Sequence, residues 1–141
     1  MILYLLAEIA GQQVAFDASQ VAAVADLGPV TAVPFAPAHV IGLAAIRSQI
    51  VTVVDAAIVL GTPSTTSSNR AILIGRDTHR YAIRVDRVID VVALAPAEPI
   101  GTTPLGASWR TVAFGRLLTD TGFALLIDAD ALINPQVTIA A

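Results

Sequence analysis

Residues 42–55 read Gly42-Leu43-Ala44-Ala45-Ile46-Arg47-Ser48-Gln49-Ile50-Val51-Thr52-Val53-Val54-Asp55. Two short apolar runs, Leu43–Arg47 and Ile50–Val54, flank Ser48-Gln49, and this predicts a β-hairpin turning at those two residues. Asp55 closes the second run and precedes Ala56-Ala57-Ile58, so its carboxylate is placed to cap a short helix. A hairpin running straight into a capped helical turn is too short a unit to fold alone. The question is what surrounds it.

Upstream the chain is built from similar short pieces. Ile2–Ile9 and Val14–Asp17 read as strands around the turn-like Gly11-Gln12-Gln13. Ala18–Val21 suits one helical turn, with Val21–Leu27 continuing as a strand. Gly28-Pro29 marks a turn, Val30–Val33 a short strand, and Pro37–Ile41 the start of another short helix. Downstream, Gly61–Asn69 (GTPSTTSSN) is small, polar and uncharged, the composition of a loop. Ala71–Gly75, Arg80–Val85 and Val88–Leu94 read as strands, with Asp77-Thr78-His79 as a turn. In Arg80–Val85, Arg80, Ala82 and Arg84 alternate with Tyr81, Ile83 and Val85, a half-buried strand pattern. Pro96, Pro99, Gly101, Pro104 and Gly106 mark a long loop. Trp109–Leu118 and Phe123–Ile127 form a late hairpin around Asp120-Thr121-Gly122, and Asp128–Ile133 a last short helix.

The pattern repeats. Val14-Ala15-Phe16, Val21 and Val24 recur 67 residues later as Tyr81-Ala82-Ile83, Val88 and Val91. Val53-Val54-Asp55-Ala56 recurs 73 residues later as Leu126-Ile127-Asp128-Ala129. That spacing is too long for a solenoid and suits two similar small barrels. Many short strands at close spacing make the chain all-β.

Composition limits what such a protein does. The 141 residues hold eight Arg, no Lys, nine Asp and two Glu, for a net charge of −3, and 55% are apolar. Disorder needs the opposite balance. Eight dispersed Arg on an acidic chain form no stripe for nucleic acid. Without Cys there is no disulfide, thiol nucleophile or Cys-ligated metal, and two His make a His-built metal site improbable on numbers alone. The reading carries no cofactor. Met1–Ala7 lacks a basic n-region, and Glu8 cuts the run short of a membrane span, so it reads as a buried strand of a cytoplasmic protein without membrane insertion.

Catalytic patterns are scarce. Asp120-Thr121-Gly122 matches the core of the aspartic-protease signature, which would require a dimer to pair two carboxylates. Thr119 before it and Phe123 after it depart from that signature, and the same triplet is ordinary turn chemistry. His39 and His79 stand in loops without a nearby carboxylate and read as surface residues. Trp109, the single Trp, reads as a core residue. Arg47 is singled out as the first basic residue of the chain, set at a strand end where a guanidinium suits an interface.

At these residues the sequence resembles the CheW-like domain of bacterial chemotaxis. Val14–Val24, Val30–Ile58 and Ala82–Val91 carry the likeness, above all Gly42–Arg47 followed by Ile50–Asp55. The resemblance implies two small five-stranded SH3-like β-barrel subdomains packed together, with a few short helices, over one domain spanning 1–141. The first subdomain is expected mainly at 14–66 and the second mainly at 67–127, with the N-terminal strand and C-terminal helix able to cross between them. It implies a non-enzymatic adaptor that links the regulatory domain of a CheA-type histidine kinase to the cytoplasmic tip of a methyl-accepting chemoreceptor. Val21, Ala23, Val24, Gly42, Ile46, Arg47 and Val88 are then expected to line or edge the receptor-facing surface. Three positions depart from the family pattern. Ala45 replaces the usual Asn, Ser48 the turn Gly, and Ala23 an acidic residue of several members. They leave open a divergent scaffold that binds the kinase without the usual receptor coupling.

Overall fold

The structure is a computed structural model that describes residues 1–62, 68–76 and 79–134. Parts of the expected loop at 61–69 and turn at 77–79 lie outside these residues. Strands β1 (Ile2–Ile9), β2 (Gln12–Asp17), β3 (Val21–Asp26), β4 (Val40–Ile46) and β5 (Gln49–Asp55) lead into helix α1 (Ala56–Val59). Strands β6 (Arg70–Arg76), β7 (His79–Arg84) and β8 (Arg87–Leu94) follow. Helix α2 (Ala107–Val112), strands β9 (Ala113–Thr119) and β10 (Gly122–Ile127), and helix α3 (Ala129–Ile133) complete the order. A 3₁₀ turn at Ala18–Gln20 joins β2 to β3, capped by Asp17, whose carboxylate accepts from the Ser19 amide.

The strands form two five-stranded sheets, ordered β8-β1-β2-β10-β9 and β3-β6-β7-β5-β4. The expected division near residue 66 is therefore not where the sheets divide. Residues 21–84 supply one sheet, and the segments before and after them supply the other. Backbone pairing decides this: β2 hydrogen-bonds β10, while β7 hydrogen-bonds β5.

The repeat accounts for the topology. At the 67-residue offset β1–β3 correspond to β6–β8, and at the 73-residue offset β4, β5 and α1 correspond to β9, β10 and α3. Even the register is reproduced. Val14↔Leu125 and Ala15↔Leu126 in one sheet match Tyr81↔Thr52 and Ala82↔Val53 in the other. Each sheet takes its first two repeat strands from one half and its last three from the other. The step between the two offsets equals the 6 residues of α2.

Closure follows the same plan in both halves. Thr31 and Leu43 exchange backbone bonds of 2.8 Å each, bringing the segment after β3 against the far edge strand β4. Glu98 and Arg116 do the same for β8 and β9. Edges that would otherwise template another chain are thus covered. The segment Val30–Val33 makes only this bridge and no strand, and Pro37–Ile41 enters β4 without a helix. Trp109–Val112, read as strand, is helical: α2 follows the extended Gly106 and ends where Ala113 enters β9.

Three apolar clusters hold the molecule. Leu5, Ile9, Phe16, Ile72, Ile83 and Ile127 belong to a core shared by both sheets. Tyr4, Leu6 and Leu126 fill one barrel, and Val51, Val53 and Leu73 the other. Strands such as β1 and β6 thus bury both faces, one in their own barrel and one in the shared core. That is why they read as unbroken apolar runs rather than as alternation.

Candidate partner-binding surface

The expected surface residues divide into two groups. Val21, Val24 and Val88 are partly exposed and pack against the margin of the shared core, the first two from β3 and the third from β8. A bulge between Val21 and Ala23 makes this possible. Regular alternation would put Val21 and Ala23 on one face; the extra residue instead turns Val21 and Val24 toward the shared core and Ala23 toward the barrel interior. Ala23 is therefore a packing position of the barrel wall.

Gly42 and Ile46, expected to line or edge the receptor-facing surface, are buried. Ile46 is 9% exposed and belongs to the barrel core. Gly42 adopts φ 155°, and a Cβ there would stand 2.1 Å from the Thr31 carbonyl oxygen. Its role is to let the closing segment reach β4.

Arg47 is exposed, at the tip of the β4–β5 hairpin. The turn lies one residue earlier than the sequence suggests, because Ile46 pairs with Gln49 and leaves Arg47-Ser48 as the two-residue loop. Both residues have positive φ, 50° and 67°, as a primed hairpin turn requires. Asn and Gly usually fill such positions; Arg and Ser hold them here under strain.

A concavity of about 620 Å³ lies beside this tip, lined by Ser19, Gln20, Val21, Ala22, Gln49 and Arg80 among others. It brings the start of β3 next to the hairpin. Among the described residues, the guanidinium groups of Arg47 and Arg80 meet no hydrogen-bond or ion-pair partner. Arg80 beside half-buried Val21, with Arg47 at the adjoining hairpin tip, can receive a partner that is apolar on one face and acidic at its edge. Arg80 was legible in the sequence only as a strand residue; the fold gives it this position.

The remaining candidates sit apart. Asp120 is exposed at the tip of the β9–β10 hairpin, where Thr119 pairs with Gly122. His39 is half-buried rather than on the surface, its Nε2 3.0 Å from the Ile133 carbonyl oxygen. Trp109 packs against the shared core. Among the described residues there is no cluster of three or more His, Asp or Glu that could hold a metal, and no helix long and apolar enough to cross a membrane.

The fold and this surface define a class: a paired-barrel β domain whose two sheets share an apolar core. The family model for the CheW-like domain matches residues 3–136, and the chain belongs to that family. Among solved structures it is similar to the scaffolding protein TtCheW from Thermoanaerobacter tengcongensis. The TM-score is 0.81 at 20% identity, covering 94% of this chain and 92% of that one. A search of curated proteins finds no match.

Proposed function

We propose that this chain is a non-enzymatic chemotaxis adaptor, acting in the cytoplasm, that links a CheA-type histidine kinase to the cytoplasmic tip of a methyl-accepting chemoreceptor. Membership of the CheW-like family carries this reading. A receptor tip is a helical hairpin, and an amphipathic helix binds by placing apolar residues into an apolar cleft. Val21, Val24 and Val88 supply the apolar contacts at the margin of the shared core. Arg47 and Arg80 supply the cationic rim, which orients the helix and raises the association rate.

The test uses the purified chain with the kinase regulatory domain and a receptor signalling fragment from the same bacterium. Both should bind. Arg47→Ala should weaken receptor binding at least about threefold, the range of a rim charge, with thermal stability unchanged. Equal loss of binding and stability would make Arg47 structural, and binding of neither partner would overturn the reading. Binding of the kinase alone would favour a divergent scaffold. The departures from the family pattern at Ala23, Ala45 and Ser48 support that second reading.

A further inference from the structure

The two halves differ in what covers one apolar seat. A groove of about 650 Å³ opens beside α1, its floor and walls including His39, Val40, Ile58, Val59, Tyr81 and Ile133. The internal repeat says what the same place contains in the other half. His39 corresponds to Val112, a match the backbone repeats: the Asp55 amide bonds the His39 carbonyl at 2.9 Å, and the Asp128 amide the Val112 carbonyl at 2.8 Å. Val40, Val59, Tyr81 and Ile133 correspond to Ala113, Leu132, Val14 and Leu60. All four of those, with Val112, are buried. There the six-residue insertion forms α2, and Trp109 and Leu105 pack against the shared core. The groove is the same apolar seat without its aromatic cover.

An aromatic side chain stands nearby, fully exposed. Phe35 lies in the loop that leads to the groove's rim at Pro37 and Ala38. It has φ 63°, within a turn whose Ala36 amide meets the Val33 carbonyl at 3.4 Å. After Pro34 that position normally belongs to Gly. A bulky residue held there is strained, and strain of this kind concentrates at functional positions. Pro34 and Pro37 fix the backbone on both sides, holding Phe35 out from its own groove. Thr31–Ala38 carries no charge, so two such loops meet without repulsion on a chain of net charge −3.

We infer that two copies of this chain pair by exchanging Phe35, each ring entering the groove of the other copy. Ring and groove share one loop, so a single two-fold axis makes the contact twice. This pairing rests on the internal repeat and is independent of kinase or receptor binding.

Sedimentation equilibrium of the full chain tests it. Wild type should rise with concentration from 14.6 kDa toward twice that mass. Phe35→Ala should weaken association at least about tenfold, as removal of a buried aromatic anchor does. Val59→Arg, which places a charge in the groove, should do the same, and thermal melts should show both variants folded. Mixed together, the two variants should associate more strongly than either alone and more weakly than wild type, because one of the two ring-in-groove contacts is restored. Wild type that remains monomeric would overturn the inference, as would a dimer insensitive to both variants or a mixture that associates no better than either variant alone. Monomeric wild type that binds the free peptide Leu105–Val112 would assign the groove to a foreign helix instead.

Discussion

Asp55 and Arg84 form an ion pair inside the protein. Arg84 Nη2 lies 2.7 Å from Asp55 Oδ2, and Asp55 has no exposed surface. The two residues are register partners where β5 and β7 run parallel. The other carboxylate oxygen accepts the Ala57 amide at 2.9 Å and starts α1. One side chain thus joins a strand pair to a helix. At the equivalent position in the other half, Asp128 caps α3 alone, and Asp17 stands where an arginine would be needed.

Removing one partner of a buried pair leaves the other charge uncompensated. Asp55→Ala should cost about 3–5 kcal/mol. Asp55→Ala with Arg84→Met should recover most of this and remain about 1 kcal/mol below wild type, the worth of the lost cap. Urea denaturation of the three proteins measures both quantities. Equal loss in the single and double variants would show that pairing is not what stabilises the site.

Gly42→Ala should cost more than about 2 kcal/mol, because the added Cβ meets backbone that cannot yield without breaking the Thr31–Leu43 bonds. Hydrogen exchange at the Thr31 and Leu43 amides should quicken together. Gly75→Ala, which faces open space, should change stability by no more than about 0.5 kcal/mol.

Ser48→Gly should stabilise the protein by up to about 1 kcal/mol by relieving a positive φ that serine tolerates poorly. A thermal melt reads this directly. A loss of stability would mean that the hairpin tip is held by its side chains rather than in spite of them.

Trp109→Ala should cost about 2–3 kcal/mol, at the low end for tryptophan because its ring is only partly buried. The loss should appear without change in the β4–β5 half, so exchange should quicken around Val112 and leave the Val51 amide protected.

Most strands were legible because each carries its own boundary signals, and Asp55 and Asp128 announced two of the helices. The family was legible from Gly42–Asp55 and Ala82–Val91. What failed was local ambiguity that only tertiary contact resolves. Trp109–Val112 has no period that separates helix from strand. Arg84 was legible only as one member of a face of a half-buried strand, and nothing local marks Asp55 as its partner. Gly42 and Ile46 were expected at the receptor-facing surface by resemblance, and alternation along β4 turns both inward. Strand partnership was the least visible, since pairing across the repeat leaves no mark on either partner alone.

The interlocking of the repeats also governs the order in which the protein can be completed. The sheet built from residues 21–84 has every strand available once that stretch has been synthesised. The other cannot close until Leu125 arrives to meet Val14. Until β8 is made, β1 and β2 have no strand neighbour beyond each other, and the outer edge of β2 stays unsealed until β10 arrives. Long-range pairing is slow, and an unpaired apolar hairpin is prone to aggregation. The second barrel is therefore the vulnerable one during synthesis, even though both barrels follow the same plan.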